Sequence, residues 1–525
     1  MAADRPVPRT TPLGLHPLIE LFAWSVAGAS TIARFVVPSA LWLDEALSVN
    51  IAKLPLGQIT EALRHDGHPP LYYWILHLWM SVFGEETFAV RSLSALIYVA
   101  GIPLLLLVAA HYEPLAGERR RRLGAVLVLV YMLSPFGLRF ASETRMYSMV
   151  IVMVLAGFVC VERALHHVTA RNLAAIVGLT AALLWTHYWA LWLIMAVSGL
   201  LVCRALFAHR HTNHERRNDS IKVLAAVLVG CLLFVPWLPN LIYQSQHTGT
   251  PWAKPFRPAS LIVTSLVDFG GGPYGEPQLL SMFMLMMVAI AVFGRGVAPM
   301  RIELDLHSRP QVRGVAMALI ATIGIASMAG IATGMAFASR YASVFFPMFV
   351  ILVALGLHQF LPGLARDVAM ACFVLLSIVG LVVVFRLNRS QAELASERLR
   401  EATPTALVVS CPDQLGPSVE RALHGQAGYE VVAYPDMASP LRVDWVDYKA
   451  RNATYDPAAA ARRADEVAGE RPIAVMYGDQ FITLEGQCPR FVEELSKLRT
   501  ERPLMRASSD GYYEPMDASL FERAR

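Results

Sequence analysis

The chain has 525 residues, 55% of them hydrophobic and 16% charged, with a mean hydropathy of +0.46. Soluble globular chains run nearer a quarter charged, so this composition excludes an ordinary soluble domain and calls for a polytopic membrane protein with at least one polar segment. The formal net charge is only +4, which gives no electrostatic case for a nucleic-acid partner.

In chain order, residues 1–12 are polar and carry Pro6, Pro8 and Pro12. The apolar run 15–38 that follows is too long for a signal-peptide core and reads as a membrane span. Ten more long apolar segments follow, at about 88–111, 123–139, 147–165, 172–187, 189–207, 220–241, 279–297, 313–335, 342–362 and 367–386. Each approaches the ~20 residues a spanning helix needs. The predicted fold is therefore a polytopic α-helical membrane protein of about eleven transmembrane helices.

Basic clusters orient the spans. Arg119–Arg122, Arg163 with Arg171, Arg204 to Arg217 with Lys222, Arg295 to Arg313, and Arg366 fall in alternate loops. Taking those loops as cytoplasmic places the N-terminus inside. The apolar stretch 69–83 holds His77 and several Tyr and Trp, and counting it as a span would break the alternation. It is expected to lie in the membrane plane, where aromatic side chains suit the depth. Residues 46–64 suggest a second such helix. Loop 242–278 carries Gly270, Gly271, Gly272 and Pro273 and suggests a lid.

The tail after about 388 is more polar. Residues 391–401 read as a charged helix leaving the membrane. Strands are expected at 405–410, 430–434 and 472–477, with helices at 416–424 and 489–498. Alternating strand and helix patterns point to a small α/β domain. The predicted division is 1–387 for the membrane part, including a first outer loop at 39–87, and 388–525 for an extracytoplasmic domain. Cys411 and Cys488 are the two cysteines of that tail, and they could pair if it is extracytoplasmic. Arg supplies 40 of the 45 basic residues, which with abundant Ala suggests a high-GC bacterial genome.

With that topology the unusual polar residues gather at one membrane face. Asp44-Glu45 follows the first span. Paired carboxylates at a membrane interface are costly and often functional; they suit a general base, a divalent metal, or simply the end of a helix in water. Asp66-Gly67-His68-Pro69-Pro70-Leu71-Tyr72-Tyr73 places an acid and a His beside an aromatic anchor, with His65 next to it. Its plainer reading is a polar loop. Glu143-Thr144-Arg145-Met146-Tyr147 opens the fourth span, where Arg145 suits a phosphate or simply neutralises Glu143. His187 and Tyr188 sit in a tight outer turn. Arg340-Tyr341 lies between two late spans, where Arg either meets a lipid-linked phosphate or snorkels to headgroups.

Together, the acidic first outer loop, the DGHPPLYY run, the ExRxY and the late RY resemble the GT-C superfamily of integral-membrane glycosyltransferases. The resemblance runs over about residues 15–385. It is strongest to the bacterial branch similar to protein O-mannosyltransferases and lipid A aminoarabinose transferases. It implies a polyprenyl-phosphate-linked sugar as donor and an inverting transfer, mannose or arabinose favoured, at the extracytoplasmic face of the bacterial plasma membrane. The implied acceptor is a cell-envelope glycan, lipid or protein. It also implies Asp44 as base, with Glu45 and Asp66 as further catalytic acids. Donor or substrate contacts fall to His65, His68, Tyr72, Glu143, Arg145, Tyr147, His187, Tyr188, Arg340 and Tyr341. His68 stands where the aminoarabinose branch has Lys. A Mg²⁺ or Mn²⁺ ion on Asp44, Asp66 and His68 fits this chemistry without being required by it. The rival readings are a transporter or flippase of a lipid-linked sugar, which should show internal repeats and midplane charge, and a non-catalytic envelope assembly protein.

Overall fold

A computed structural model describes residues 11–210, 214–249, 255–272, 276–479, 482–508 and 511–523. Pro6, Pro8 and Pro273 lie outside them. The chain packs as two compact units: residues 1–36, 94–236 and 255–385 form the first, and 37–93, 237–254 and 386–525 the second. The segment 39–87, grouped with the spans on sequence, thus packs with the tail.

The first unit is a helical bundle. Each of the eleven apolar segments predicted as spans contains helix. Among the described residues six helices are long and apolar enough to cross a membrane: Thr87–Tyr112, Tyr147–His166, Ala190–Phe207, His214–His247, Pro310–Thr333 and Leu364–Arg386. The protein is thus a multipass membrane protein. A seventh span arises if Glu118–Met132 and Pro135–Ala141, which meet at 61°, are one broken crossing. The bend has a local cause. Ser134 Oγ accepts from the Gly137 N–H at 3.1 Å and Pro135 occupies the first helical position, so a new helix is capped there rather than the old one continued. The other four predicted spans are helices of 13–17 residues: Pro17–Ala33, Ala170–Leu184, Pro277–Phe293 and Phe346–His358. The last is buried at every residue, as expected of a helix that is apolar all round. Its Gly356 packs so closely that a Cβ there would lie 2.0 Å from the Met287 carbonyl oxygen.

Several polar groups inside this bundle are paired. Arg34 donates to Ser30 Oγ at 2.7 Å and to the Met132 carbonyl at 2.7 Å. The Tyr98 and Tyr131 rings stack at 4.0 Å, and each hydroxyl donates to the other's backbone carbonyl.

In the second unit, residues 46–64 are not one helix. Pro55 divides them into Leu43–Ala52 and Leu56–Asp66, because proline cannot donate into a continuing helix. Leu71–Phe83 is helical as expected. The expected loop 242–278 is largely helix, with the end of Leu238–His247 in this unit and Pro258–Gly270 in the first.

The tail is an α/β layer structure. Strands β1 (Ala406–Cys411), β2 (Tyr429–Ala433), β3 (Ile473–Tyr477), β4 (Thr500–Met505) and β5 (Asp517–Glu522) form one sheet in the order β2-β1-β3-β5-β4. The first three are mutually parallel and the last two join antiparallel. Side chains alternate across it. Leu407, Val409, Ile473 and Val475 face the helices Pro457–Ala468 and Gln487–Ser496. Ala406, Val408, Ala474 and Met476 face Ala392–Ala402 and Gly416–Leu423. The helix near 391–401 is therefore a sheet-packing element of this unit. Its Ala392, Ala395 and Leu399 are buried, which a charged connecting helix would not require.

Cys411 and Cys488 form a disulfide that ties the end of β1 to the helix Gln487–Ser496 across a separation of 77 residues. Releasing a loop of that length is worth up to about 4 kcal/mol in chain entropy. Replacing both cysteines with Ser should therefore lower the thermal midpoint of the purified protein by several degrees, with the effect vanishing when wild type is melted in reductant. An unchanged midpoint, with both thiols open to alkylation in wild type, would show that the bond does not form.

Candidate active site

In the second unit, Asp44 and Glu45 occupy the first turn of Leu43–Ala52, where the helix dipole favours negative charge. The N-cap, Trp42, does not cap the helix with its side chain. The Leu43 N–H instead donates to Glu514 Oε1 of the tail at 3.2 Å, so a carboxyl distant in sequence does the capping.

The two acids have different settings. Glu45 is fully buried. Arg91 grips it as a fork, Nε to Oε1 at 2.8 Å and Nη2 to Oε2 at 2.7 Å, and Arg389 Nη1 reaches Oε2 at 3.3 Å. Arg91 also donates to the carbonyls of Ser39 and Ala40 at 2.6 and 3.0 Å. Such a bidentate, multiply bonded pair fixes geometry. The expected catalytic acid Glu45 thus has the setting of an anchor, and Asp44, half-buried one residue before it, is the more accessible carboxylate.

Asp66 ends the helix Leu56–Asp66, and Gly67 closes it in the left-handed region at φ 88° with its N–H bonded to the Leu63 carbonyl at 2.9 Å. The turn brings His68 Nδ1 within 2.8 Å of Asp66 Oδ2, and the Tyr73 hydroxyl donates to the same oxygen at 3.3 Å. With its proton on Nδ1, His68 is oriented by Asp66. Tyr72 is buried, its ring edge-on to Tyr73 at 5.9 Å. Tyr73 makes a polar contact to Asp66.

Within the protein, His65 meets the tail. Its Nδ1 lies 3.0 Å from Asp444 Oδ1, and its carbonyl accepts from the Trp445 N–H at 3.1 Å. Nearby, His247 Nδ1 lies 3.2 Å from the Asp447 carboxylate. These contacts strap tail residues 444–447 onto two helices. Burial pushes the Asp444 carboxyl up, but bonds from His65 and the Val446 N–H with the charge of Arg451 outweigh it and hold the group below its usual range. His65 is thus a tie to the tail.

In the first unit, the segment between Pro135–Ala141 and Tyr147–His166 is buried at Glu143, Thr144, Arg145 and Tyr147. Arg139 lies 3.6 Å from Glu143 and 3.0 Å from Asp268. Arg139 is thus a cation set against Glu143. The Arg145 carbonyl accepts from Ser94 Oγ at 3.2 Å, and its guanidinium stands 6.0 Å from the Tyr147 ring. The Tyr147 ring meets His187 edge-on at 5.7 Å, and His187 lies 5.4 Å from the Tyr341 ring. Trp189 stacks on Tyr341 at 5.1 Å, and its backbone N–H donates to His187 Nδ1 at 3.2 Å. That bond leaves the neutral ring's proton on Nε2. Arg340 stands 5.8 Å from the Tyr341 ring. One aromatic cluster thus joins Tyr147, His187 and Tyr341, with Arg145 at the Tyr147 end and Arg340 at the Tyr341 end. Tyr188 is half-buried beside it in sequence.

Asp44, Asp66 and His68 do not form a metal cage among the described residues. The group of three ligand-type side chains near enough to share an ion lies elsewhere, at His111, Glu162 and His166. Sequence reasoning did not single out Arg91, Arg389, Glu514, Tyr73 or Trp189. Arg91 had a readable signal, since a lone Arg in an apolar helix must find a buried partner.

No family model and no curated protein matches this sequence. Solved structures do. ArnT from Cupriavidus metallidurans in the apo state aligns with a TM-score of 0.58 at 12% identity, over 95% of this chain and 97% of that one. The same protein bound to undecaprenyl phosphate aligns with a TM-score of 0.56 at 13% identity over the same shares. The arabinofuranosyltransferase AftD from Mycobacteria aligns with a TM-score of 0.47 at 12% identity, over 96% of this chain and 42% of that one. The ArnT alignments extend over nearly the whole of both chains, tail included, and show a shared fold.

Proposed function

We propose that this multipass membrane protein, which has the GT-C fold its motifs resemble, is an inverting glycosyltransferase. In this reading it moves one sugar, mannose or arabinose, from a polyprenyl-phosphate donor to a glycan, lipid or protein of the cell envelope. The observation that carries the reading is the first turn of Leu43–Ala52: Glu45 is locked by Arg91 and Arg389, which holds Asp44 at a fixed, half-buried position on the same turn. A carboxylate so held suits a general base. The fold shared with ArnT bound to undecaprenyl phosphate supports a lipid-phosphate donor.

Asp44 takes the proton of the acceptor hydroxyl. The hydroxyl oxygen attacks the anomeric carbon from the face opposite the phosphate, the carbon–oxygen bond to phosphate breaks, and polyprenyl phosphate leaves. Arg145 and Arg340 are assigned to the leaving phosphate, which guanidinium groups stabilise well. His68, oriented by Asp66, is assigned to a donor hydroxyl or phosphate oxygen. All eleven apolar segments are taken as crossings, with the N-terminus inside. The tail is taken as extracytoplasmic, where the disulfide would persist. A divalent cation is not needed for these steps.

The isoprenoid chain is assigned to an apolar cavity of about 370 Å³ in the first unit, bordered by Val154, Gly157, Leu183, Val197 and Met348. A Cβ on Gly157 would meet nothing within 4 Å, so Gly157→Trp starts without a backbone-level clash and extends into the cavity. The variant should raise KM for the polyprenyl donor about tenfold and leave a short-chain donor analogue unaffected; equal kinetics on both donors would place the lipid elsewhere.

The direct test is transfer by purified protein from radiolabelled polyprenyl-phosphate mannose and arabinose, wild type against Asp44→Ala. Release of polyprenyl phosphate that the variant loses supports the reading. Labelled lipid that crosses the bilayer of a vesicle with no donor turned over would favour the transporter instead.

A further inference from the structure

The helices Ile102–Tyr112 and Tyr147–His166 of the first unit end beside the Arg-rich segments 119–122 and 163–171. His111 lies in the last turn of one. Glu162 and His166, four residues apart, share a face of the other. One ligand atom from each of the three lies within 4.8 Å of the others.

The spacing is informative. His111 Nε2 and Glu162 Oε2 are 3.6 Å apart, too far for a hydrogen bond. Two ligand atoms bound at about 2.0–2.1 Å to one tetrahedral ion lie about 3.3 Å from each other. The His111 and His166 rings are 5.6 Å apart and inclined at 46°, so they do not stack. His111 and Glu162 are half-buried and His166 is exposed, so a side-chain rotation of His166 closes the remaining gap. The three border a cavity of about 520 Å³ with Phe158, Arg163 and Asn172, which leaves room for a water as fourth ligand.

We propose that His111, Glu162 and His166 form a binding site for a divalent transition-metal ion, with zinc the best match. Two imidazoles and one carboxylate suit zinc, cobalt or nickel, whereas magnesium and calcium prefer oxygen ligands throughout. The bound ion cross-links the ends of two spans. None of the three ligands has a step in the proposed glycosyl transfer, although Glu162 also borders the apolar cavity given there to the isoprenoid chain.

The test uses the full chain purified without a histidine tag, stripped with chelator and titrated with cobalt(II) as a spectroscopic probe, then with zinc as competitor. Wild type should take up one equivalent of cobalt with a tetrahedral visible spectrum that zinc abolishes. His111→Ala should lose the spectrum. Glu162→Gln, which keeps the side chain's shape and so guards against misfolding, should bind at least tenfold more weakly. Asp66→Asn should bind as wild type does. Cobalt uptake that is absent from wild type, or that survives unchanged in a His111→Ala/His166→Ala double variant, would overturn the proposal.

Discussion

Asp44→Asn should lower the rate of sugar transfer by about 10³-fold, the range seen when a positioned general base is removed, with the protein still folded and the donor still bound. The substitution is nearly isosteric, and the turn that carries it is held from outside, through Glu45 to Arg91 and Arg389 and through the Leu43 N–H to Glu514. These contacts hold the turn without using the Asp44 side chain. Glu45→Ala should behave in the opposite way. It leaves two buried guanidinium groups without their shared carboxylate, which costs about 3 kcal/mol or more. Loss of yield and of thermal midpoint should then precede any question of kcat. Donor affinity, single-turnover transfer and melting temperature measured on both variants separate the two roles. Full transfer by a folded Asp44→Asn protein would remove the proposed base. Unchanged stability of Glu45→Ala would remove the anchor.

How much of this was legible follows from how far the deciding contacts reach along the chain. The apolar segments were plain because a membrane core writes its demand into twenty neighbouring residues. Their lengths were less plain. Phe346–His358 is buried among other helices at every position, and its apolar run extends past both helix ends. Strands β1, β2 and β3 were legible as short apolar runs. β4 was not: Thr500-Glu501-Arg502-Pro503 is polar and holds a proline, as suits a sheet edge. β5 opens with an exposed-type Asp-Ala-Ser and shows its apolar residues only at Leu520 and Phe521. At the candidate site, Asp66 and His68 are only two positions apart in sequence and could be read directly. Glu45–Arg91 spans 46 residues and Leu43–Glu514 spans 471, and no local pattern announces either. The tie of His65 to the tail was hidden for the same reason, because its partner Asp444 lies 379 residues away.

Glu514 carries the other large expected effect. Burial pushes its carboxyl up to about 8, with a further push from the Asp44 charge, against bonds from Ser390, Ser418 and the Leu43 N–H that favour ionisation. The unfolded group titrates near 4.5, so between those two values the folded protein holds a proton that the unfolded chain has lost. Stability must then fall as pH rises. The contribution is fully present below about pH 4.5, declines through the interval and is gone above about pH 8, a total of at most about 5 kcal/mol. Glu514→Gln keeps an oxygen to accept from Leu43 and cannot ionise. Its thermal midpoint should match wild type near pH 5 and exceed it by several degrees at pH 9. The same two proteins, melted from pH 5 to 9 in one detergent and one ionic strength, give the answer. Parallel curves would mean that Glu514 stays ionised in the folded state, and the first turn that holds Asp44 would then be capped by a charge rather than by a neutral acid.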